Sequence, residues 1–232
     1  MKMTKKKVFV IALAVCLVAI ISMSSLAWFS DSKQVQNDFF IADTDDDTAD
    51  DIFSIDLWEN TPVDDLDRDG YEYEDILPGD SLRKDIWVMN TGYYDQYVRV
   101  IITISDRAAW LNALNDVIGS ANADQAAAQM IFNGLDLSKW GAIYNNMIDE
   151  PNSDELVYVL YYNSILEASQ AINVFKSIEI PTSMTREEAA LFDNQFTITV
   201  KAQAVQTENV VPATITEGKN AAWEAFKTVG LQ

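Results

Sequence analysis

The residues with the plainest chemistry in this chain are Asp65, Asp67 and Asp69, carboxylates on alternate positions leading into Gly70. Alternate acids in a D-x-D-x-D-G run can converge on one hard cation. The glycine permits the sharp turn, and the next residue, Tyr71, offers its backbone carbonyl. Calcium is the ion that suits this pattern. A complete EF-hand loop would place a bidentate glutamate at its twelfth position, where this chain has Ile76, and no helical pattern flanks the run. Glu74 or Asp75 could substitute only in a loop of different geometry. The run therefore reads either as a structural calcium site or as a plain acidic turn.

Other chemistry is restricted by what the chain lacks. It has no histidine and one cysteine, Cys16. The usual general base at neutral pH is missing, and neither a Ser-His-Asp, a Cys-His nor an H-E-x-x-H arrangement can be assembled. Paired carboxylates serve glycosidases, but 36 acidic residues spread over loops single out no pair. We read no enzyme here. The net charge of −20 also argues against nucleic acid or anionic lipid bound through a basic surface.

The N-terminus has the pattern of an export signal. Lys2, Lys5, Lys6 and Lys7 precede an apolar run over residues 8–21, and the small residues Ser25 and Ala27 suit signal peptidase cutting between Ala27 and Trp28. An uncleaved anchor is the alternative, since the apolar stretch extends to Leu26. Cleavage would leave 36 acidic against 12 basic residues, a net of −24, and no cysteine. Such a chain cannot use disulfides, so its stability outside the cell must come from packing, ions or assembly.

Residues 28–51 form an arm and a linker. Trp28, Phe29, Val35, Phe39, Phe40 and Ile41 make an arm of strand length, and an acidic tract over residues 43–51 extends by self-repulsion. An arm on such a tether either pairs with a sheet edge of another molecule or folds back on its own domain.

Residues 52–232 read as one domain, mainly β: an antiparallel β-sandwich, jelly-roll-like, with a helical insertion at about 105–151 and a C-terminal helix. Strands are expected at 52–58, 82–89, 98–104, 156–162, 173–180 and 196–204, from period-two alternation or short apolar runs. Pro78-Gly79 supplies a turn before the second, and Asn90-Thr91-Gly92 makes a hairpin or a sandwich corner after it. Helical spacing of Trp110, Leu111, Leu114, Val117 and Ile118 predicts a helix capped by Ser105 or Asp106, with a weaker one over 123–132. Trp140 and Tyr144 follow on a short turn. Thr185 and Glu188 make a capping box, Thr216 is the expected cap of the last helix, and Gly230 closes it.

Three motifs carry a family resemblance. The lysine-rich, apolar start followed by Ala27-Trp28-Phe29-Ser30-Asp31 resembles the SipW-type signal peptides of the TasA/camelysin family of secreted biofilm matrix proteins. Leu77-Pro78-Gly79-Asp80, Asn90-Thr91-Gly92 and Tyr97-Val98-Arg99-Val100 resemble that family's LKPGD, NTG and YVRV segments. Thr199 to Glu208 is similar to its closing strand. The resemblance implies a subunit of extracellular fibres, exported by a Gram-positive-type bacterium to its matrix or surface. Homopolymers would form by donation of the N-terminal strand, with a matrix or cell-wall partner. Camelysin is described as a metalloprotease; that role does not carry over, because no zinc ligands can be named. The rival reading is a monomeric surface module holding a glycan or protein through the region of Trp110 to Tyr144.

Overall fold

The computed structural model describes residues 30–35, 53–59, 76–118, 120, 122–147, 153–189, 197–208, 210, 212, 215 and 218–231. The strands are β1 (Ser30–Val35), β2 (Ile55–Glu59), β3 (Ser81–Asn90), β4 (Gln96–Ile104), β5 (Phe132–Asn133), β6 (Ala142–Asn145), β7 (Leu156–Tyr161), β8 (Ala171–Glu179) and β9 (Ile198–Gln206). The helices are α1 (Arg107–Ala113), α2 (Ala123–Ile131), α3 (Arg186–Ala189) and α4 (Ala221–Thr228).

The strands form two antiparallel sheets, one ordered β1-β9-β4-β7-β6 and the other β2-β3-β8-β5. The pairings β1 with β9, β3 with β8 and β4 with β7 nest in sequence and alternate between sheets, the arrangement of a jelly roll. Two strands depart from it. β2 extends the edge beside β3, and β6 stays in a hairpin with β7. Since β3 and β4 lie in different sheets, Asn90-Thr91-Gly92 is a sandwich corner and not a hairpin.

Alternation makes the core. Val98, Val100, Ile102 and Ile104 of β4 and Val200, Ala202 and Ala204 of β9 face Ile55, Leu57, Ile86, Val88 and Phe175 of the opposite sheet. Phe132 stands between Tyr158 and Phe175, with ring centroids 5.1 and 5.0 Å away. Burying each such aromatic contributes roughly 2–3 kcal/mol.

The stretch after β4 carries the two expected helices, α1 and α2, and also supplies β5 and β6, one strand to each sheet. Tyr144 lies in β6, not in a turn. α1 ends at Ala113, so Val117 and Ile118 lie in the turns beyond it, partly buried against the core. Asp106 occupies the N-cap position in a left-handed conformation (φ 58°) and makes no side-chain cap; its carboxylate instead accepts from the Ser105 hydroxyl. Trp110 and Trp140 are fully buried, so neither lines a groove. The Thr185–Glu188 capping box forms as expected: the Thr185 amide donates to the Glu188 carboxylate (2.7 Å) and the Glu188 amide to the Thr185 hydroxyl (3.1 Å). Phe192, Phe196 and Thr216 lie outside the described residues.

Candidate assembly edge

β1 pairs with β9 of its own chain, from Ser30 opposite Val205 to Val35 opposite Val200. Of the two outcomes open to the arm, this is the fold-back. β1 sits at the edge of its sheet, hydrogen-bonded on one side only among the described residues. Its sequence, Ser-Asp-Ser-Lys-Gln-Val, is the polar middle of the arm and contains one of the six apolar candidates, Val35. Trp28, Phe29, Phe39, Phe40 and Ile41 lie outside the described residues. A polar edge strand suits an exposed ladder, because it gives the edge little apolar surface with which to aggregate.

β9 is held far more firmly on its other side. It pairs with β4 along nine residues, from Gln96 opposite Gln206 to Ile104 opposite Ile198. Its outer face lies beside α4. Arg99 of β4, which simple alternation would leave in solvent, is only 5% exposed. Its Nε donates to the Gln203 side-chain oxygen (2.7 Å), and Nη1 donates to the Tyr161 hydroxyl (3.2 Å) and the Leu231 carbonyl (3.0 Å). The guanidinium carbon stands 4.5 Å from the centre of the Phe226 ring, a cation–π contact.

The ends of α4 are fixed as well. Its N-cap is Asn220, not the expected Thr216: the side chain accepts from the Trp223 amide (2.9 Å) and donates to the carbonyls of Tyr161 (3.1 Å) and Tyr162 (3.2 Å). The helix is thereby tied to the end of β7. At the other end Gly230, at φ 79°, lets its own amide reach the Lys227 carbonyl and the Leu231 amide reach Phe226, a Schellman stop.

Residues 36–54 connect β1 to β2, which lies in the opposite sheet. β2 is anchored by an ion pair buried in the strand ladder, Glu59 to Lys84 at 3.1 Å, with both side chains only 6% exposed. Burial holds the Lys84 ammonium below its ordinary pKa of 10.5, and Glu59 opposes the shift. The sequence carried a sign of this pair: Lys84 falls in the buried phase of β3, between Leu82 and Ile86.

At the end of the sandwich where β1 begins, the corner after β3 is pinned by Asn90. Its fully buried amide donates to the carbonyls of Tyr94 (2.8 Å) and Leu166 (3.0 Å) and accepts from the Gly92 amide (3.0 Å). The Ser54 and Thr91 hydroxyls add a 2.6 Å bond across the corner.

The other candidate residues fall elsewhere. Asp65, Asp67, Asp69 and Tyr71, the calcium candidates, lie outside the described residues, as do Ala27 and the rest of the expected export signal. Among the described residues no cluster of three or more acidic side chains is placed to hold a metal, and no helix is long and apolar enough to cross a membrane. Comparison with family models, with curated proteins and with solved structures returned no match to this chain.

Proposed function

We propose that this chain is an exported structural subunit of the TasA type, which polymerises head to tail into an extracellular fibre when its N-terminal strand pairs with β9 of a neighbour. The observation that carries the reading is the position of β1. It is an edge strand that begins three residues after the expected cleavage at Ala27. Its ladder with β9 uses backbone groups that a second copy presents identically.

The connector permits the exchange. Residues 36–54, fully extended, reach at most about 65 Å, while a compact domain of this size is about 40 Å across. Return to the chain's own edge is still favoured at low concentration, because a tether of this kind gives an effective concentration on the order of millimolar. At micromolar protein a neighbour needs about 4 kcal/mol of additional favourable contact to compete. The expected charge of −24 per exported subunit opposes such contact until it is screened. Assembly is therefore expected to require salt, acid or divalent cations, calcium among them.

A chain beginning at Trp28 should form filaments visible by electron microscopy under those conditions. Removing residues 28–35 should leave a folded monomer that forms none. Filaments from the shortened chain, or equal assembly in low-salt neutral buffer with chelator, would contradict the proposal. The closed ladder of β1 on its own β9 favours a second reading, a self-complemented monomer that binds a glycan or protein at the surface. Such a module would keep its ligand after the same deletion.

A further inference from the structure

We propose that Asn133 is a site of self-modification: it deamidates through a succinimide, and the product frees the edge strand β5 from β8. The reaction needs an asparagine followed by a residue that leaves its backbone nitrogen unhindered, which glycine does best. Asn133-Gly134 is the one Asn-Gly pair in the chain, and both residues are exposed. The Leu135 amide closes a turn on the Phe132 carbonyl (3.3 Å), with Asn133 and Gly134 at its two central positions. The fold keeps the glycine there. Gly134 has φ 82°, and a Cβ on it would lie 3.1 Å from Cγ of Lys176.

The Gly134 nitrogen, having given up its proton, attacks the side-chain carbonyl carbon of Asn133; the bond to Nδ2 breaks and ammonia leaves. Water then opens the five-membered ring at either carbonyl, giving aspartate, or isoaspartate with the main chain routed through the side chain. β5 can open locally to reach the geometry, because its ladder is only Phe132 opposite Ile178 and Asn133 opposite Ser177, at the edge of its sheet. The product undoes the contacts that hold it. The Asn133 amide donates to the Ser177 hydroxyl (3.1 Å), which donates to the Glu179 carboxylate (2.8 Å), and the Ser81 hydroxyl donates to the same oxygen (2.6 Å). A carboxylate at position 133 has no proton to donate. It competes with Glu179 for the Ser177 hydroxyl and sets like charges on neighbouring strands. Isoaspartate adds a methylene to the main chain next to Phe132, which is buried between Tyr158 and Phe175. With β5 released, the backbone of β8 becomes an unpaired sheet edge. Asn163-Ser164 is the contrast: Asn163 is exposed too, but its amide donates to the Ser138 carbonyl (2.8 Å) and accepts from the Asn220 amide (2.8 Å).

Ageing the folded full chain at mildly alkaline pH in oxygen-18 water, followed by peptide mapping, tests this without reference to assembly. The peptide holding Asn133 should take up label and yield aspartate and isoaspartate well before that of Asn163, and Asn133→Gln should abolish the label there. In the aged protein and in Asn133→Asp, the amides of residues 132–133 and 177–178 should exchange on the order of tenfold faster, with β4 and α4 unchanged. An intact Asn133 after Asn163 has converted, or full conversion with β5–β8 exchange unchanged, would overturn the proposal.

Discussion

β9 meets the first and the last described elements of the chain, and the two cover it in different ways. The N-terminal end lies along its edge as β1 and contributes a backbone ladder written in the polar residues Ser30 to Val35. The C-terminal end lies over the outer face of the same sheet as α4 and contributes side chains. Phe226 is fully buried, Arg99 is held by three hydrogen bonds beneath it, and both helix ends are capped. Side-chain packing is specific to one geometry and is lost on the smallest displacement. A backbone ladder is equally good with any chain of the same register. On the proposed reading the sheet carries one permanent cover, α4, and one exchangeable one, β1.

Substitutions can break that contrast, beginning with the permanent side. Phe226→Ala should cost about 3–5 kcal/mol in urea unfolding by leaving a cavity between α4 and the sheet. A strand cover held only by its ladder should show no comparable loss for any single side chain of β1.

Next in size is the Glu59–Lys84 pair, which anchors β2 where the connector from β1 arrives. Lys84→Met strands a buried carboxylate and should cost about 3 kcal/mol or more, most of it recovered in Glu59→Leu/Lys84→Met. The pair also has a pH signature. The folded pKa of Lys84 is depressed, so above it the unfolded chain holds this proton where the folded chain has lost it. Stability should therefore rise through this group as pH climbs from the depressed value toward 10.5, and Lys84→Met should flatten that rise in denaturation measured across alkaline pH.

The smallest expected effect is Asn220→Ala. Loss of the N-cap should cost about 1 kcal/mol, visible as faster exchange in the first turn of α4 with β1 unaffected.

Much of this fold was legible in the sequence, for a physical reason. β4 and β9 alternate because one face is core. β7 is nearly continuous in apolar residues because it is an inner strand, between β4 and β6. Thr185 and Glu188 cap each other through local contacts that need no tertiary information. What escaped depends on distant partners. Arg99 looks like a solvent-facing residue until α4 is laid over it. β5 and β6 are too short to show a period, and their strand character comes from pairing with β8 and β7. The arm misled in an instructive way: its apolar residues drew attention, whereas the described strand is the polar stretch between them, because a ladder is made by groups common to every residue.

The proposed exchange of β1 can be tested directly, because a chain beginning at Trp28 contains no cysteine. Gln34 stands opposite Lys201 in the β1–β9 register, and directly paired strand residues are close enough for a disulfide. A Gln34→Cys chain mixed with a Lys201→Cys chain under assembling conditions should give a mixed covalent dimer on oxidation, while Ser32→Cys with Lys201→Cys, out of register, should give far less. If the mixed dimer fails to form while a single chain carrying both cysteines closes quantitatively on itself at every concentration, β1 is a fixed part of its own subunit.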